Sequence, residues 1–147
     1  MGMTETATAA TRAVIARLYD AYRAGDLDGM LALMADDVVV TFTGHGTFHG
    51  KEEARPYMEW AGAQLPELTF NVRRVIVDGE YAAVTWDEVG RTKRGEAWSA
   101  IGVDVHRVVN GKIVEITVYT DTEKLARLLD PWPGAGRRES AVRLAQG

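Results

Sequence analysis

Asp104 and His106 offer the most chemistry in this chain. They stand two residues apart in Trp98–Asp121, which reads as two strands joined by a tight turn at Asn110-Gly111. Alternate residues of a strand share a face. Trp98, Ala100, Gly102, Asp104 and His106 therefore form one row, and Val114, Ile116, Val118 and Thr120 form the matching row on the second strand. An acid and an imidazole on an otherwise apolar sheet face make a pocket wall. Burial raises a carboxyl pKa, and a neutral carboxyl can donate a hydrogen bond to a developing oxyanion. An imidazole exchanges protons near neutral pH. The two Cα positions lie roughly 6–7 Å apart along the strand, too far for a certain dyad.

A third candidate is Glu88. The strand over 81–89 presents either Val84-Trp86-Glu88 or Ala83-Thr85-Asp87 to the interior. The first set is the more apolar and is preferred, though a slip of one residue reverses the choice. Trp86 then stacks on a ligand and Glu88 is a possible base. Tyr22, Phe42, Tyr57, Met58, Trp60, Trp98 and Val118 complete the expected lining. Such a lining suits a flat or polycyclic hydrophobic molecule, although plain core packing uses the same residue types.

Other chemistries find little support. The Gly-rich stretch Thr43–Gly50 reads as a loop and lacks the G-K-[ST] ending of a phosphate loop. His45 and His49, with Asp36 or Asp37, have no recognisable ligand spacing, so no metal and no cofactor are expected. His49 reads as the start of a helix. No nucleophile elbow is visible, and with no Cys there is neither thiolate nor disulfide.

These residues must be positioned by one domain, expected over residues 1–133 with a tail at 134–147. Helices are expected at about 8–24, with Val14, Leu18, Ala21 and Tyr22 as the apolar stripe, at 27–34, and at 51–63. Pro56 should delay or bend the third. Strands are expected at 38–42, 68–77 and 81–89, then the Trp98–Asp121 pair. A short helix is expected at 123–129, followed by a tail that is either frayed or forms a short helix at 139–145. This order is an α+β pattern. The net charge of -4 speaks against a nucleic-acid surface. No stretch reads as a signal peptide or membrane span, which fits a cytoplasmic protein.

Four motifs carry a resemblance: Tyr19 to Asp26 (Y-x-x-x-x-A-G-D), Ala35-Asp36-Asp37, His49-Gly50-Lys51-Glu52, and Asp104 to Glu115 (D-x-x-R-V-x-x-G-K-I-V-E). Their order resembles the ketosteroid isomerase / nuclear-transport-factor-2-like superfamily and, within it, the SnoaL-like polyketide cyclases. The tail Leu128–Pro133 is similar to the end of those cyclases. The resemblance implies a cone: a curved antiparallel sheet wrapped around three N-terminal helices, a cystatin-like α+β barrel. It implies an isomerase or cyclase, including a shape-driven pericyclic one, acting on a hydrophobic polyketide-like substrate in antibiotic biosynthesis or other secondary metabolism. An epoxide hydrolase of the same fold and a non-catalytic binding or dimerisation module are the alternatives. Asp104 matches the isomerases' oxyanion-binding Asp. Their base falls at Phe42 and is absent. Their oxyanion-hole Tyr falls at Leu18, with Tyr19 and Tyr22 nearby. The cyclases' base falls at Val118 and is also absent, as is one carboxylate of the hydrolases' Asp-Arg-Asp set. A homodimer through Val103, Val105, Ile113 and Tyr119 is the expected assembly.

Overall fold

The computed structural model describes residues 2–134. Two helices, α1 (Met3–Arg23) and α2 (Leu27–Ala32), precede a hairpin of β1 (Met34–Phe42) and β2 (Gly46–His49). Then come α3 (Gly50–Gln64), β3 (Glu67–Asp78), β4 (Tyr81–Arg91), β5 (Ala97–Val109), β6 (Lys112–Thr120) and α4 (Thr122–Leu128). The six strands form one sheet in the order β2-β1-β6-β5-β4-β3. All neighbours run antiparallel except β1 and β6, which are parallel. The sheet curves but does not close, so β2 and β3 remain as edges.

Irregular pairing bends the sheet. Register shifts occur in β3 between Val72 and Arg74, and between Arg107 and Val108 of β5 where it meets β6. Such bulges increase local twist. The second one corrects the inner row of β6. Arg107 faces Glu115 and Val108 faces Ile113, so Val114 is the extra residue and Ile113 turns inward. Ile113 is fully buried and therefore cannot belong to the outer dimer face assigned to it.

Other boundaries moved for identifiable reasons. Met34 starts β1 rather than ending α2, because its buried side chain pairs beside Ile113. The stretch 43–50 contains a strand, not only a loop. Its glycines hid the pairing of Thr47 and Phe48 with Thr41 and Val40. α3 starts at Gly50, earlier than expected, with His49 as N-cap and Pro56 in its interior. α1 starts at Met3, well before residue 8. The short helix expected as one choice at 139–145 lies outside the described residues.

The concave face packs against the helices. Buried residues of α1 are Thr11, Val14, Ile15, Leu18 and Tyr19, a stripe rotated from the one the sequence suggested. Polar ties set that rotation. Thr11 donates to the Gly79 carbonyl at 2.8 Å, and the Gly79 amide donates to Thr8 at 2.8 Å. They pin α1 to the β3–β4 turn. Tyr19 lies eight residues beyond Thr11, about two helical turns along the same face.

Candidate active site

Pairing across the sheet sets out the site in rows. Phe42, Val118, Asp104, Val84 and Val75 lie side by side on β1, β6, β5, β4 and β3. Val40, Ile116, His106, Ala82 and Val77 form the next row. Gly102 faces Trp86, and Glu88 lies between Ala100 and Phe70. The preferred inward set Val84-Trp86-Glu88 is thus the one observed, with all three side chains buried.

These rows form one wall of a cavity of about 720 Å³. All the expected residues reach it: Asp104, His106 and Glu88, together with Tyr22, Phe42, Tyr57, Met58, Trp60, Trp86, Trp98 and Val118. α3 supplies Tyr57, Met58 and Trp60, and α1 supplies Tyr22.

The polar groups are strictly arranged. Tyr19 Oη donates to Asp104 Oδ2 at 2.6 Å and lies 2.8 Å from His106 Nε2. Trp86 Nε1 donates to Asp104 Oδ1 at 2.8 Å, and Trp98 Nε1 donates to Glu88 Oε1 at 2.9 Å. Asp104 and His106 do not form a direct dyad; one phenol joins them. Burial pushes the Asp104 carboxyl up to about 6, against the opposing pull of the Tyr19 and Trp86 hydrogen bonds. Burial pushes His106, 1% exposed, down to about 4. Glu88 is also raised, first by burial and then by the charge of Asp104. Tyr19 is raised by burial and by Asp104, so its hydroxyl keeps its proton.

A single hydroxyl proton cannot serve both neighbours. With Asp104 ionised, Tyr19 donates to it and accepts from His106 Nε2–H. With Asp104 protonated, the acid donates to Tyr19, and Tyr19 donates to a bare His106 Nε2. In the first state His106 Nδ1 is a bare acceptor, and it has no partner among the described residues. The second state holds one more proton than the first, with the neutral His106 ring in its Nδ1–H form. Such an arrangement keeps Asp104 hydrogen-bonded to Tyr19 in both its ionised and its protonated form.

Sequence reasoning missed three parts of the site. Tyr19, not Leu18, reaches Asp104. The i, i+4, i+8 series Thr11, Ile15, Tyr19 is the signal that finds it. Phe70 of β3 stacks on Tyr19 at 5.9 Å between ring centres, meets Tyr22 edge-on at 4.9 Å and touches Trp86 at 5.3 Å. It fixes three of the site's rings. His45, assigned to a loop, is buried on the cavity wall with Nδ1 2.7 Å from the Tyr57 hydroxyl and its ring stacked on Phe42.

The sequence pattern of the SnoaL-like domain matches residues 15–116. The chain belongs to the SnoaL-like domain family. No curated protein matches it. Solved structures share its fold. An NTF2-like protein of unknown function from Burkholderia pseudomallei K96243 has a TM-score of 0.76 and 26% identity, over 82% of this chain and 97% of that one. A protein described as a SnoaL-like polyketide cyclase, from Jannaschia sp. CCS1, has a TM-score of 0.75 and 18% identity, over 86% and 95%. TerC, co-crystallised with polyporic acid, has a TM-score of 0.73 and 20% identity, over 81% and 97%.

The two positions at which the resemblance implies a base lie together in this SnoaL-like fold. Phe42 and Val118 are paired neighbours on β1 and β6, and Val118 faces Asp104 across β5. The two form an apolar patch beside Asp104. The Asp-Arg-Asp set of the hydrolase alternative is not assembled around Asp104, whose partners are Tyr19 and Trp86. His45 bonds Tyr57 and His49 caps α3; the described residues hold no group of three or more His, Asp or Glu that could bind a metal. Among the described residues no helix is long and apolar enough to cross a membrane.

Proposed function

We propose that this SnoaL-like protein is a cofactor-independent isomerase or cyclase. Its substrate is a hydrophobic, polyketide-like small molecule of secondary metabolism, and it works in the cytoplasm as a homodimer. The observation that carries the reading is the Asp104–Tyr19–His106 chain in the wall of an aromatic cavity. A buried acid held near neutral pH suits general acid–base catalysis. Asp104 exchanges the proton, Tyr19 and His106 adjust the chain behind it, and the rings of Tyr22, Trp86 and Trp98 hold a flat substrate. The Jannaschia protein of the same fold, described as a polyketide cyclase, supports the substrate class.

A second reading draws on the Phe42–Val118 patch. An apolar wall in place of the family's bases favours catalysis by shape, in which holding a reactive conformer lowers the barrier. The two readings separate on one variant. Native mass spectrometry of freshly purified protein is expected to show a retained small molecule, whose conversion is then followed. Tyr19→Phe is expected to lower kcat by roughly 10–100-fold, because the proton chain is cut. A kcat within about threefold of wild type rejects the acid–base reading in favour of shape.

The outer sheet face supports the dimer. Ile101 is 75% exposed, and Ile76, Tyr81, Val89 and Tyr119 are also exposed on it. Ile101→Glu is expected to convert a dimer into a monomer in light scattering at micromolar concentration. A wild-type monomer, or a variant that stays dimeric, rejects this assembly.

A further inference from the structure

Among the described residues, the cavity holds two buried carboxyl groups, Glu88 and Asp104, and no Lys or Arg side chain bonded to either. Glu88 and Asp104 are acceptors on one wall, and no ion pair reaches either among the described residues. The indole N–H groups of Trp86 and Trp98 are already spent on them. Among the described residues, Arg23 is the one Lys or Arg side chain at the cavity, and it pairs with Asp20. Glu88 is only 7% exposed, and among the described residues its sole hydrogen-bond partner is Trp98, through Oε1. Its second oxygen makes no hydrogen bond among the described residues, and Glu88 lines the cavity. The rings of Tyr22, Phe70 and Trp86 stand around the two acids. Aromatic faces and carboxylates attract the same kind of guest, a cation.

Resting on the cavity reading above, we infer that the natural ligand of this cavity carries a protonated amine, seated between Glu88 and Asp104 against the aromatic faces. The ligand's N–H groups fill the acceptor capacity that the protein leaves open. Its charge balances acids that have no counter-ion among the described residues. The same logic disfavours a carboxylate-bearing ligand at this end.

The test uses the intact protein and three probes of one shape: 2-naphthylmethylammonium, neutral 2-naphthylmethanol and anionic 2-naphthoate. Binding is read by quenching of tryptophan fluorescence, since Trp60, Trp86 and Trp98 line the cavity. At pH 8 the ammonium is expected to bind at least about tenfold more tightly than the alcohol, and naphthoate weakest. Glu88→Gln is expected to remove most of that preference, while the exposed control Glu123→Gln keeps it. The preference should also weaken from pH 8 to pH 5, because Asp104 takes up a proton near pH 6 while the probe stays charged. The other titratable groups on this cavity are Tyr19 and Tyr22 of α1, Tyr57 and Glu59 of α3, His45 and His106. The tyrosines stay neutral over this range because burial raises all three. His106, lowered to about 4 by burial, stays largely neutral over this range. Equal binding of ammonium and alcohol overturns the amine inference and leaves the aromatic cavity standing. Preference for naphthoate, or an undiminished ammonium preference in Glu88→Gln, also overturns it. Binding of none of the three overturns both readings.

Discussion

Asp104→Asn is expected to give a protein that is more stable and less active at pH 7. The stability part follows from linkage. Folding raises the carboxyl from its ordinary 3.8 to about 6. A raised acid contributes full stability below its unfolded value and loses it as pH rises through the folded value. The loss is roughly 3 kcal/mol by pH 7. Asn removes the ionisation but leaves one of its two donors, Tyr19 or Trp86, facing an amide nitrogen. The net gain at pH 7 is therefore expected near 1–2 kcal/mol. It should fade below about pH 4, where the wild-type acid is protonated in both states.

His106 sharpens this test. Its folded value is lowered from 6.5 to about 4, so its contribution is present above pH 6.5 and lost as pH falls through about 4. In the wild type the two groups oppose each other, and the site adds little slope between pH 4 and 6.5. Removing Asp104 uncovers the histidine. Denaturant melts of Asp104→Asn should then show stability rising with pH across that window. A variant less stable than wild type at pH 7, or a difference constant with pH, would show that Asp104 is not a strained acid. Turnover of the retained compound is expected to fall about 100-fold. Gain in stability with loss of activity is what a functional buried charge predicts.

The second large effect is expected at Gly102. A Cβ there would stand 2.3 Å from Trp86 Cζ2 and 2.6 Å from the Tyr119 carbonyl oxygen. The indole crosses β5 at this residue to reach Asp104, which it could not do over a side chain. Gly102→Ala is expected to destabilise the fold by about 1–3 kcal/mol. It should also move the indole away from Asp104. The Trp86 hydrogen bond holds the Asp104 pKa down, so its loss lets that value climb further. The loss of stability should be smaller in a Trp86→Phe background, since phenylalanine lacks the outer indole atoms. It should not vanish, because the Tyr119 carbonyl remains. If Gly102→Ala costs the same in both backgrounds, clearance for the indole is not why glycine stands there.

The strands that carry the site were legible because alternation is a local property. Trp98, Ala100, Asp104 and His106 face inward as period two requires, and so do Val84, Trp86 and Glu88. The four spaced motifs were enough for the superfamily. Where the local signal was weak, the reading failed. Glycines disguised β2, and a bulge invisible in composition exchanged Val114 for Ile113.

By itself the sequence determined the α+β class and the inward faces of β4 and β5, Asp104 among them. Only the tertiary structure decided what Asp104 touches. Tyr19 and Asp104 are 85 positions apart, and the rotation of α1 that joins them is set by Thr8 and Thr11 on a distant turn. The approach of Trp86 depends on the absence of a side chain at Gly102, on a neighbouring strand. The merging of Phe42 and Val118 into one patch depends on the parallel pairing of β1 with β6. Periodicity reports which way a side chain points. Which side chain it meets there depends on how separate elements pack, and no local pattern records that.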